Sequence, residues 1–331
     1  MRLFASLILL LVLAAPALAC TNFIATPEAT VDGSVMVTYT CDGEFHPHLR
    51  LHPAADHEPG AMEELKHWSG EILGEIPLPA RTYQVVNLMN EHQVTIAETT
   101  TGGREELVNP DAVIHYWVLM RLVLQRAATA REAVVVMGDL VAEYGYRSSG
   151  ESFYIGDPEE AWVVEMVGPG PGGSGAHWVA LKVPEGYVVA HANLGRIDTF
   201  DRGDKDNCLA SEGMEDFAAD NGWYDPATDG EFSWREAFHP TTPQKLRYTE
   251  TRVWSLYRRC TPSRDWPTDY HRGVAGAAQG PLGDPVRVEE AEGRTGSRQE
   301  RGPSGIRRCA APRADGATVR VDARADRGAP R

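Results

Sequence analysis

The sequence predicts an α+β fold, helices packed on antiparallel sheet, and three observations carry that expectation. Short apolar-biased runs come in pairs around turn residues, two adjacent amphipathic helical patterns interrupt the pairs once, and a hydrophobic content of 42% is ample for a core. Asn22 to Thr26 and Ser34 to Thr40 flank Asp32-Gly33, a turn dipeptide suited to a tight reversal, which leaves Cys20 at the head of the first strand. Gln84 to Asn87 and Gln93 to Thr99 read as a second pair around Asn90-Glu91-His92. The helical block follows. Asn109 is expected to cap a first helix with Pro110 at its first position, and Val113, Tyr116, Trp117, Met120 and Leu124 share one face. Thr129 and Glu132 make a capping-box pattern for a second helix, with Val134, Met137, Leu140, Val141 and Tyr144 on one face and Gly145 as its stop. Ser152 to Gly156 then pairs with Ala161 to Val167 around Asp157-Pro158, and Trp178 to Lys182 with Val188 to Ala192 around Pro184-Glu185-Gly186.

The two ends differ from this body. Arg2, the apolar run Leu3 to Leu13, the helix-breaking Pro16 and the small residues Ala17 and Ala19 follow the order of a secretory leader cleaved after Ala19. The stretch from Leu3 to Ala19 is marginal for a bilayer, which needs about 20 apolar residues. Residues 1–19 are read as a signal peptide, and the mature chain as secreted or periplasmic with no stable membrane insertion. Lipidation of Cys20 is the alternative fate, but Ala17 stands where lipoprotein leaders usually place Leu. At the other end no aromatic follows Tyr270, where about five are expected at the chain average. Residues 20–282 are read as the folded domain. Residues 283–331, rich in Arg, Gly, Ala and Pro and without lysine, are read as a tail that is either disordered or an out-of-frame end of a longer gene.

Charge and composition exclude several functions. A formal net charge of −15 argues against a nucleic-acid partner, which needs clustered Lys and Arg. No metal site is expected: no Cys/His array has zinc spacing, and His46, His48, His52 and His57 read as a solvated, proline-broken loop. Gly168 to Gly175 lacks the Lys-Ser/Thr of a phosphate loop and reads as a connection between strands. Asp157 and Glu165 suit a turn and a strand as well as they suit paired acids, and Trp117, Trp162 and Trp178 read as core. An oxidising compartment permits disulfides among Cys41, Cys208, Cys260 and Cys309, with the pairing open.

Cleavage after Ala19 would make Cys20 N-terminal, and such a residue carries its own base. An α-amine with a pKa near 7.7–8.0 and a thiol near 8.5 titrate close together, so a proton can pass between them directly or through one water. The thiolate would attack an amide carbonyl, the amine would protonate the leaving nitrogen, and water would hydrolyse the thioester. An oxyanion hole must hold the negative oxygen, with Asn side chains and strand N–H groups as natural donors.

The run Cys20-Thr21-Asn22-Phe23-Ile24-Ala25-Thr26 with Asp32-Gly33-Ser34 resembles the mature start of the C69 family of secreted dipeptidases. These are N-terminal nucleophile hydrolases related to penicillin V acylase and bile-salt hydrolase. Three further blocks follow in order. They are Met89-Asn90-Glu91-His92 with Glu98-Thr99-Thr100 and Gly102 to Glu106; Gly150 to Asp157 with Glu160-Ala161-Trp162 and Glu165; and Trp178-Val179-Ala180 with Val189 to Asn193 and Arg196-Ile197. The resemblance covers about Cys20 to Leu282. It implies a four-layer αββα sandwich, no cofactor, short peptide substrates, Cys20 as nucleophile and Asn193 as an oxyanion donor. Thr100 falls near the second oxyanion position and Asp42 near the acidic residue that holds the nucleophile's amine. The arginine that often precedes that acid is absent, with Tyr39 near its place. Family members usually run well beyond this length, so C-terminal truncation of the fold stands as an open alternative. An acylase of non-peptide amides and a non-catalytic envelope protein are the rival readings.

Overall fold

The computed structural model describes residues 19–41, 49–261 and 286–287. Residues 1–18 of the leader, Asp42, His46, His48, residues 262–282 of the expected domain and all of the tail except Val286 and Arg287 lie outside the described residues. Two antiparallel sheets organise the rest. Thr21–Ala25 (β1) and Met36–Thr40 (β2) form the expected first hairpin, Thr21 opposite Thr40 and Ala25 opposite Met36. The larger sheet takes Thr95–Gly102 (β3), Gly150–Gly156 (β4), Ala161–Val167 (β5) and His177–Lys182 (β6) side by side in chain order. Tyr187–His191 (β7) returns to the smaller sheet beside β1, and Cys208–Ala210 (β8) closes the larger one beyond β6. Val286–Arg287 pairs with β7 on the side away from β1.

Trp178 to Ala192 is therefore not a hairpin. After β6 the chain crosses sheets, because Val189 packs with Ile24, Val179 and Leu181 in a shared apolar cluster only if β7 pairs with β1. Thr26 fixes the crossing: its N–H donates to Tyr187 O at 3.1 Å and its hydroxyl oxygen accepts from Tyr187 N at 3.1 Å. The Gln84 to Thr99 pair is likewise split by a short strand, Met89–Asn90, with Val85 opposite Asn90 and Thr95 opposite Met89. Asn90 causes the turn there: its Oδ1 accepts from His92 N and Val94 N, and its Nδ2 donates to Leu124 O and Ala127 O.

Helices Tyr116–Leu124 (α1) and Ala130–Tyr144 (α2) form the predicted block, but α1 starts six residues beyond Pro110. Val113 N and Ile114 N are instead bonded to Tyr144 O and Gly145 O, so His115 caps the helix and Asn109 holds a turn, its Oδ1 accepting from Asp111 N. At α2 Thr129 and Gly145 cap as expected, with Glu132 N donating to Thr129 Oγ1 at 3.1 Å and Gly145 at φ 74°. Both helices pack on the larger sheet through Ile96, Phe153, Ile155, Trp162 and Val164. Tyr154 and Val163 point the other way, into the cluster shared with β1 and β7. Burial on both faces explains why Phe153 to Ile155 and Ala161 to Val164 show no polar alternation.

Three further helices went unread in the sequence: Met214–Asp220 (α3), Trp234–Phe238 (α4) and Pro243–Cys260 (α5). The last has a clear start signal, Thr242 accepting from Lys245 N ahead of Pro243 at the first position. It covers the smaller sheet through Val253 and Tyr257, which join Ala25, Val188, Ala190 and Ala192.

Candidate active site

Strand register assembles the site. Asn22 stands opposite His191, so two further residues along the ladder set Cys20 beside Asn193. Thr21 stands opposite Thr40, which sets Cys20 beside Cys41 on its other flank. Both adjacencies are realised. Cys20 N donates to Asn193 Oδ1 at 3.0 Å, and the Cys20 and Cys41 sulfurs are 3.7 Å apart. Asn193 has φ 57°, a left-handed turn in which asparagine is among the better tolerated residues, and its Nδ2 donates to Thr100 O at 2.8 Å. An amide nitrogen has two hydrogens, so one donor remains after that bond. Thr100 thus contributes its carbonyl to Asn193, while its hydroxyl donates to Glu151 Oε1 at 3.1 Å.

Arg252, on α5, was not foreseen and ties these parts together. One guanidinium nitrogen donates to Cys20 O at 2.6 Å and Thr21 Oγ1 at 3.0 Å, the other to Ala192 O at 3.2 Å and Asn193 Oδ1 at 3.0 Å. Its rigid fork suits four acceptors on two adjacent strands. Two residues before it, Glu250 receives a buried bidentate bond from Arg196, at 2.9 and 2.8 Å. Arg196 lies three residues beyond Asn193, so the pair clamps the Asn193 turn to α5. Glu165 supports the same turn from below, its Oε1 accepting from Arg196 N and Ile197 N and its Oε2 from Trp234 Nε1.

Acidic groups surround the thiol. Glu98 and Glu151 are buried, and burial pushes both carboxyls up, with each other's proximity adding to the rise at Glu151. The Tyr39 hydroxyl donates to Glu98 Oε1 at 2.5 Å. With Ala19 still attached, burial first and Glu98 second push the Cys20 thiol up to about 12. An ammonium at the same residue would oppose that rise.

Among the described residues no group of His, Cys, Asp and Glu has metal-holding geometry. His57 Nε2 instead meets Thr82 Oγ1 at 3.0 Å, and Asp157 caps its turn and the start of α2. Trp162 is fully buried, and Trp178 packs on α2 at Gly138. No disulfide occurs among the described cysteines, and Cys20, Cys41, Cys208 and Cys260 are free.

The two-sheet α+β chain thus holds a buried cysteine at a strand head between an asparagine and an arginine. The chain belongs to peptidase family C69, whose model matches residues 52–272. That match contains Thr100, Asn193 and Arg252, and Cys20 precedes it. The chain is 28% identical over 270 residues to a probable dipeptidase of Salmonella dublin, covering 75% of this chain and 59% of that one. It is 27% identical to a probable dipeptidase of Latilactobacillus sakei, covering 74% and 53%, and 27% identical to a dipeptidase of Bifidobacterium longum, covering 74% and 51%. The chain therefore spans between half and three-fifths of the length of these relatives.

Proposed function

We propose that this chain, cleaved after Ala19 and exported, is a cysteine-type dipeptidase that works through Cys20 as an N-terminal nucleophile. The observation that carries the reading is the bond from Cys20 N to Asn193 Oδ1 at 3.0 Å. It puts the atom that cleavage would turn into an amine beside the asparagine that the family resemblance assigns to the oxyanion. The amine takes the thiol proton, and the thiolate attacks the peptide carbonyl carbon. The tetrahedral oxygen accepts from the free Nδ2 hydrogen of Asn193, the C–N bond breaks as the amine's proton passes to the leaving nitrogen, and water releases the acyl group from sulfur. Arg252 positions the residue by fixing Cys20 O and orienting Asn193. The arrangement of α1 and α2 on one sheet and α5 on the other supports the four-layer αββα reading.

Replacing Cys20 with Ala in the cleaved chain is expected to abolish dipeptide hydrolysis with an unchanged circular dichroism spectrum. Retained turnover would overturn the assignment. Acetylating the N-terminal amine of the cleaved chain is likewise expected to inactivate it, and an indifferent enzyme would mean a separate base.

A further inference from the structure

We propose that Cys20 and Cys41 form an oxidative modification site, in which a reversible disulfide between them takes the nucleophile out of action and Cys41 is the resolving thiol. This goes beyond the dipeptidase reading and rests on it only for the role of Cys20. The two sulfurs are 3.7 Å apart. Register puts them there. Thr21 stands opposite Thr40, so the next pair along β1 and β2 is Cys20 with Cys41, and directly opposed residues of antiparallel strands project from one sheet face. Opposed Cα atoms lie about 4.5 Å or about 5.5 Å apart, depending on the ladder position, and both spacings fall within the about 4.4–6.8 Å that a disulfide bridges. Side-chain rotation can therefore join the sulfurs while the strands keep their register. Tyr39, two residues before Cys41 on the same face, reaches into the site and donates its hydroxyl hydrogen to Glu98.

Exposure sets Cys41 apart from the other described cysteines. Cys208 is buried in the cluster of Val179 and Leu181, and Cys260 packs on the cluster of Val253 and Tyr257. Cys41 is exposed and joins no apolar cluster among the described residues, so packing does not account for a thiol there. Cys20 is only 7% exposed, and a dissolved oxidant therefore meets Cys41 first. With a low-molecular-weight disulfide as the oxidant, the Cys41 thiolate attacks one of its sulfurs, forms a mixed disulfide and displaces one small thiolate. The Cys20 thiolate then attacks Cys41 Sγ, the bond between the two cysteines forms and the second small thiolate leaves. Two electrons pass from the protein sulfurs to the oxidant, and the two protons given up by the cysteines end on the two released thiols. A Cys20 sulfur held in that bond has no thiolate with which to attack a carbonyl. A thiol reductant reverses the exchange, and until then the bond shields Cys20 from irreversible oxidation.

Treating the cleaved chain with oxidised glutathione, then reading Cys20 alkylation by iodoacetamide and mapping disulfides under non-reducing conditions, tests this. The proposal predicts a Cys20–Cys41 linked peptide, alkylation of Cys20 at least ~10-fold slower than before treatment, and its full return with dithiothreitol. In Cys41→Ser, loss of Cys20 reactivity should be at least ~10-fold slower than in the parent chain, because the exposed entry point is gone. Cys41 paired with Cys208, Cys260 or Cys309, glutathione retained on Cys41 with Cys20 still reactive, or equal rates of loss in the two chains would overturn the proposal. The parent map stands whether or not the Ser variant folds. Because alkylation and mapping need no turnover, failure of the dipeptidase reading shows separately, as absence of dipeptide hydrolysis by the reduced, cleaved chain.

Discussion

Leader cleavage should switch the Cys20 thiol from inert to reactive, and the size of the switch follows from its surroundings. With Ala19 attached, the thiol is buried beside Glu98, Cys41 and Glu151, and it is pushed up from an ordinary 9.0 to about 12. Three tenfold steps separate those values, so at pH 7 the uncleaved chain holds about 10³-fold less thiolate than an ordinary cysteine. Cleavage replaces an amide nitrogen by an ammonium a few bonds from the sulfur, and an opposite charge at that range favours the thiolate. Alkylation of Cys20 by iodoacetamide, followed by mass spectrometry from pH 6 to 11, reads the difference. The uncleaved chain, kept so by substituting Ala17 and Ala19, should react about 10³-fold more slowly than free cysteine at pH 7, with a rate still rising at pH 11. The cleaved chain should react at least ~10-fold faster than the uncleaved one, with its inflection at lower pH. Equal rates, or an inflection near 9 in the uncleaved chain, would refute this reasoning.

Other expectations follow from the same contacts. Arg252→Met removes four hydrogen bonds around Cys20 and Asn193 and should lower kcat/KM about 10²-fold or more, while Arg252→Lys should recover only part because an ammonium lacks the fork; steady-state kinetics on a dipeptide checks both. Gly138→Ala would set a Cβ 2.5 Å from Trp178 Cζ2, so the overpacking cost of about 1–3 kcal/mol should exceed the ~1 kcal/mol gain in helix propensity, seen as a lower urea midpoint. Burial opposes ionisation of Glu165, but the His191 ring, His239 and the Arg196 N–H together hold its carboxyl below the usual 4.5. A depressed native value gives stability that is present above about 4.5 and lost as pH falls through the lower native value. Urea midpoints between pH 3 and 6 should therefore fall less steeply in Glu165→Gln than in the parent chain.

The sequence made visible the parts whose signals are local. Asp32-Gly33 marked the β1–β2 reversal, Thr129 and Gly145 marked both ends of α2, and the alternation on β4 and β5 was masked only because both faces are buried. Cys20 and Asn193 were both singled out, and the register of β1 with β7 brings them together. The failures came from long-range choices. Pro184-Glu185-Gly186 looks like a hairpin turn, yet the apolar cluster around Val189 draws β7 into the other sheet. Helix α5 escaped a search for apolar stripes because much of its functional face is polar: Thr249 and Glu250 are buried, and Arg252 turns toward the site. Its Thr242-Pro243 start was legible, and following it would have led to Arg252. Glu98 and Glu151 stood in quoted motif blocks, but their pairing across β3 and β4 required the register.

The central claim is that an N-terminal Cys20 becomes acylated during turnover. Acid-quenching the cleaved chain during hydrolysis of an alanyl ester, followed by intact-mass and peptide mapping, tests it most directly. The account predicts a chain beginning at Cys20 that carries one alanyl group on that residue as a hydroxylamine-labile thioester. Turnover by a chain with Cys20 unmodified, or with the acyl group on another residue, would contradict it.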